Sequence, residues 1–173
     1  MRNDYDYIII DSGADTPWIY NAFAEIADEG IVVTFQQSTA IRAAEVTAGK
    51  LSSLGLENVK LVVNAYRTRG AKNKILPDVF ESVTRTGIPL LGVIPYTPKI
   101  IEYQEKGILP LSQRKYFILP FEAAFGNIGK RIAGEKVALF AGVNILAKRK
   151  KYVFENNLTK EQGDVDSDTK DNP

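Results

Sequence analysis

Four short apolar runs, separated by segments of helical period, constrain the fold more than any other feature of this chain. They are YIIID (7–11), IVVTF (31–35), KLVVN (60–64) and LLGVIP (90–95). Each is rich in β-branched residues or leucine and lacks strict polar alternation, the pattern of strands covered on both faces. Between them, apolar residues recur at three- and four-residue intervals. In TPWIYNAFAEIAD, Trp18, Ile19, Ala22, Phe23, Ile26 and Ala27 share one helix face, with Thr16 placed to cap and Pro17 at the first helical position. STAIRAAEVTAGKLSSLG offers Ser38 as a cap and Gly55 as a stop. LPDVFESVTRTG ends at Gly87, and TPKIIEYQEKG opens on Thr97-Pro98 and ends at Gly107. A last helix is predicted in PFEAAFGNIGKRIAG, where Phe121, Ala124, Phe125, Ile128 and Ile132 form one stripe. Strand–helix alternation repeated in this way predicts βαβ units, hence an α/β fold with a mostly parallel sheet flanked by helices.

The chain has 173 residues, 45% of them hydrophobic, which suits one domain over residues 1–154. From about Glu155 the sequence loses apolar residues and gains Asn, Asp, Gly and Lys, which predicts a disordered polar tail over 155–173. A net charge of +1 gives no strong nucleic-acid signal. The absence of cysteine excludes disulfides and thiolate chemistry, and the absence of histidine removes the commonest general base and metal ligand. Any metal would be a hard cation held by oxygen, such as Mg²⁺. The opening MRNDYDY is polar and acidic, unlike a signal peptide, and no apolar run approaches the roughly 18 residues of a membrane span. A cytoplasmic protein is expected.

In an open α/β sheet, ligands bind beyond the carboxyl ends of the strands. The residues there are Asp11-Ser12-Gly13, Phe35-Gln36-Gln37-Ser38, Asn64-Ala65-Tyr66-Arg67 and Pro95-Tyr96-Thr97. Asp11 follows three isoleucines and reads in two ways, as a carboxylate facing a cation or as a cap for the next helix. The Asn64 side chain both donates and accepts, as recognition of an adenine edge requires, and also suits the start of a turn. Arg67 and Arg69 could reach a phosphate or stack on a base, or remain solvated.

YDYIIIDSGAD, IVVTFQQSTAIRAAE, VVNAYR and GVIPYTPKIIEYQEKGILPL, in this order and spacing, resemble the MinD/ParA family of P-loop ATPases, in its carboxyl-terminal part. The resemblance runs from residue 5 to about 136. It implies a partial doubly wound P-loop fold that binds ATP or ADP with Mg²⁺ and serves cell-division placement, partitioning or similar positioning. Asp11 matches the family's aspartate on the Mg²⁺ side, Asn64 its adenine-reading asparagine, and Pro95, Tyr96 and Thr97 its base and ribose loop. The chain departs from the family's D-x-P-A-G at Gly13 and Asp15, and from its frequent aspartate at Thr97.

The phosphate-gripping motif G-x-x-x-x-G-K-[ST] does not occur in the sequence. AFGNIGKR has Ala124 and Arg131 where the first glycine and the hydroxyl belong, and EVTAGKL has Ala44 and Leu51. In the family that motif precedes the strand matched by YIIID. The chain is therefore expected to be inactive alone, with no catalytic residue of its own. YIIID is expected to be an unpaired apolar edge, completed by a homodimer or by a chain supplying the P-loop half. Lys148, Arg149, Lys150 and Lys151, flanked by Leu146, Tyr152 and Phe154, read as a peripheral contact with anionic membrane or as a solvated helix end. The alternative function is a non-catalytic α/β interaction module acting through partner binding.

Overall fold

The computed structural model describes residues 4–12, 17–112 and 119–140. Along the chain come α1 (Pro17–Ile26), β1 (Gly30–Phe35), α2 (Ser38–Ser53), β2 (Val59–Tyr66), α3 (Thr68–Lys72), α4 (Val79–Thr86), β3 (Leu90–Pro95), α5 (Pro98–Glu105), a 3-10 turn (Pro110–Ser112) and α6 (Leu119–Ile132). The three strands form one parallel sheet in the order β1-β2-β3.

Helix ends follow local chemistry. The Asp78 carboxylate accepts from the Glu81 N–H at 2.9 Å, capping α4, and Gly87 closes that helix at φ 69°. Gly55 (φ 85°) and Gly107 (φ 64°) follow α2 and α5 in the same left-handed conformation, which glycine adopts without a Cβ penalty. α2 begins at Ser38 itself, with Gln37 at the cap position and no side-chain cap bond.

Sheet register assigns the two faces. Val32 pairs with Leu61 and Thr34 with Val63, and these point to one side. There α2 contributes Ala44 and Leu51, α4 Val79 and α1 Ala24 to a core that also takes in Phe140. On the opposite side, Val62, Leu91 and Ile94 meet Phe121, Ile128 and Ile132 of α6. Gly92 permits that approach, because a Cβ there would lie 2.5 Å from Ile128 Cγ1.

Three expectations change. Residues 7–10 form no strand: Tyr7, Ile8 and Ile9 are exposed, Ile9 by 92%. A strand exists only through its ladder, and none of the three strands offers this segment a partner. Among the described residues β1 is an edge of the sheet without a further strand beside it. Its coverage is also one-sided, since Ile31, Val33 and Phe35 share the α6 side with Val62 but are 43%, 59% and 52% exposed. α6 packs over β2 and β3 and does not reach them. In α1 the packed residue is Ala24, with Ala27 just past the helix end, whereas Ala22 and Ile26 are exposed. Thr16, the basic run 148–151 and the tail 155–173 lie outside the described residues.

Candidate functional site

The carboxyl end of β2 is irregular. Val63 pairs with Val93 and Tyr66 with Pro95, so Asn64 and Ala65 together face the single residue Ile94. Two residues against one make a bulge, which breaks the ladder and turns a side chain in a new direction. Ala65 takes φ 50°, a left-handed conformation that costs a non-glycine residue free energy. The Asn64 Oδ1 accepts from the Ala65 N–H at 2.7 Å and so compensates for the lost ladder bond. Among the described residues the Asn64 amino group makes no hydrogen bond, and the residue is half-buried. It presents two N–H donors and the second lone pair of its oxygen.

Next to this bulge the ends of β2 and β3 meet. The Tyr96 N–H donates to the Tyr66 carbonyl at 2.9 Å, carrying the ladder one residue past Pro95. The Arg67 guanidinium then lies over the Tyr96 ring, 3.9 Å from its centre. Thr97, half-buried, donates to the Pro95 carbonyl at 3.4 Å and opens α5 without a side-chain cap bond. Beyond Arg67 the chain runs through Arg69, Lys72 and Lys74, all exposed, with no acidic residue before Asp78.

Five of the sequence-nominated residues, Asn64, Arg67, Pro95, Tyr96 and Thr97, therefore fall on one edge at the ends of adjacent strands. Asp11 is not tied to them: it is exposed, in a segment without strand pairing, and forms no hydrogen bond or ion pair among the described residues. Nor does any group of three or more His, Cys, Asp or Glu converge as a metal site among the described residues. Among the described residues Asp11 is thus a lone carboxylate, and a Mg²⁺ ion held through one carboxylate takes its other oxygens from waters and substrate phosphates.

Chemically, the edge offers an amide, an aromatic face, a guanidinium and a hydroxyl. Among the described residues, these groups suit contact with a planar polar ring. Two features escaped the sequence reading. The bulge has no local signal, because alanine rarely adopts positive φ. The role of Gln36 does have a faint one, a polar residue directly ending an apolar run before a helix; its side chain is 3% exposed and engaged at both ends.

No family model matches the chain. Over 140 residues, 80% of its length, it is 32% identical to the septum site-determining protein MinD of Bacillus subtilis, covering 51% of that protein. Among solved structures, the MinD cell division protein of Aquifex aeolicus superposes with a TM-score of 0.72 at 26% identity, over 80% of this chain and 57% of that one. The MinC:MinD cell division protein complex of the same organism gives a TM-score of 0.71 over 80% and 56%. The chain spans about half the length of the curated relatives it matches. Among the described residues, no helix is long and apolar enough to cross a membrane.

Proposed function

The chain belongs to the MinD/ParA family, and from this we propose that it is the purine-binding part of a MinD-type ATPase acting in placement of the division septum. The observation that carries the reading is the bulge at Asn64, which leaves an amide with free donors among the described residues at the same strand ends as the Arg67–Tyr96 stack. An adenine shows a donor and an acceptor side by side, and a carboxamide can meet both. The Tyr96 ring and the Arg67 plane supply a stacking surface, and Pro95 and Thr97 border the ribose. The ligand is ATP or ADP.

Hydrolysis is not assigned to this chain. The phosphate cradle of the family, a glycine-rich turn ending in lysine and a hydroxyl residue, does not occur in its sequence. Affinity is accordingly weak, because charge-assisted phosphate contacts are the strong ones. Asp11 becomes a Mg²⁺-side carboxylate only when a P-loop half packs alongside, and the bare β1 edge with Ile31, Val33 and Phe35 is where that half docks. The basic run 148–151 is kept as a contact for anionic membrane, and a MinC-type protein is the first partner to test.

Titration of the chain with adenosine and with Mg²⁺-ADP, followed by amide NMR shifts, tests the reading. Shifts are expected at Asn64, Arg67 and Tyr96, and should be lost in Asn64→Ala. Equal shifts with guanosine, or none at that edge, would overturn it. The exposed β1 face also favours a second reading, a partner-binding module without nucleotide. That reading gains if a P-loop half binds the chain and the assembled pair neither holds nor hydrolyses ATP.

A further inference from the structure

Gln36 closes β1 and is 3% exposed, among the few polar side chains buried in the described structure. Its Nε2 donates to the Pro77 carbonyl at 2.8 Å, and its Oε1 accepts from the Arg67 N–H at 2.8 Å. The amide orientation follows from its partners: turned over, it would set NH₂ against N–H and oxygen against oxygen. These two bonds join three segments remote in sequence: the end of β1, the start of α3 and the lead into α4. Both backbone groups lie outside the helical ladders. The Arg67 N–H belongs to the cap residue of α3, and Pro77 precedes the cap of α4.

A bare structural role would end there. What links Gln36 to the edge is its partner, since Arg67 carries the guanidinium that lies over Tyr96. The Arg67 backbone is anchored by Gln36, and its side chain reaches Tyr96 at the end of β3. We infer that Gln36 is a positioning residue for base recognition, acting through Arg67: its amide holds the Arg67 backbone where the guanidinium and the Tyr96 ring form one platform beside Asn64. This rests on the base site proposed above.

The test uses the 173-residue chain, adenosine as the probe and amide NMR as the readout. Gln36→Met keeps length and volume but removes both hydrogen bonds. It is expected to weaken adenosine about fivefold, the effect of losing one orienting hydrogen bond. In an Arg67→Ala background the same substitution should change adenosine affinity by less than about twofold, because nothing remains to be positioned. Gln36→Glu in its protonated form, which can accept from the Arg67 N–H and donate to the Pro77 carbonyl, should restore binding to within about twofold of the original chain. Should Gln36→Met not fold, Gln36→Ala measured with and without Arg67→Ala makes the same comparison, with a loss of adenosine affinity expected only where Arg67 is present. An equal loss in both backgrounds, or no loss in Gln36→Met, overturns the positioning role while leaving the base site standing. No adenosine binding by the unsubstituted chain overturns the base site and this role together.

Discussion

The Arg67 guanidinium lies 3.9 Å from the centre of the Tyr96 ring, so the ends of β2 and β3 are joined through side chains as well as through the sheet. An exposed cation–π pair contributes about 0.5–1 kcal/mol. Arg67→Ala and Tyr96→Leu should each lower unfolding stability in urea by about that amount, with a coupling of similar size in the double variant. Both should also weaken adenosine. Additive losses would show that the two side chains do not act as a pair.

Gly92 and Ile128 set the distance between the sheet and α6. A Cβ at Gly92 would meet Ile128 Cγ1 at 2.5 Å and Cδ1 at 3.0 Å. Gly92→Ala should therefore destabilise the chain by about 1–3 kcal/mol through overpacking. Ile128→Val in the same chain should return part of that loss, which the urea midpoints of the two variants and their combination would reveal.

Tyr66 predicts an alkaline limit. Burial, with the Asp78 carboxylate nearby, pushes its phenol from 10.0 up to about 12, against a smaller opposing hydrogen bond from the Val79 backbone. Between those values the unfolded chain has released the proton and the folded chain still holds it. Stability present below pH 10 is thus lost as pH rises towards 12. Denaturant midpoints measured across this window should fall more steeply in the original chain than in Tyr66→Phe. Parallel curves would rule out a contribution from this phenol.

The β1 edge predicts association. Ile31, Val33 and Phe35 present an apolar face beside a strand edge that is unpaired among the described residues, which favours pairing with another chain. Sedimentation velocity should show concentration-dependent self-association of the chain. Val33→Lys, a charge on an exposed position, should shift it towards monomer with a change in stability within about 0.5 kcal/mol. A monodisperse monomer at all concentrations would contradict the exposed face as a docking surface.

Asp78 caps α4 through the Glu81 N–H at 2.9 Å. Asp78→Ala should cost about 1 kcal/mol. It should also lower the pH at which Tyr66 titrates, by removing the nearby negative charge. Tyrosinate absorbance against pH would separate this electrostatic effect from simple loss of the cap.

Much of this architecture is written in local chemistry. The runs 31–35, 60–64 and 90–95 became strands, Pro17 and Pro98 opened helices, and Gly55, Gly87 and Gly107 followed helix ends, because side-chain period, fixed proline φ and glycine's freedom act within a few residues. The position of Asn64, Arg67 and Tyr96 at strand ends followed from the same rhythm. Other features were settled by packing alone. YIII has every strand preference and forms no strand, since pairing is a relation to a neighbour and not a property of a segment. Val33 and Phe35 match buried residues in type, yet lie open because α6 stops over β2 and β3. The bulge at Ala65 arises against β3, and the two bonds of Gln36 arise where segments 31 and 41 residues apart come together, so no short window of sequence contains both partners.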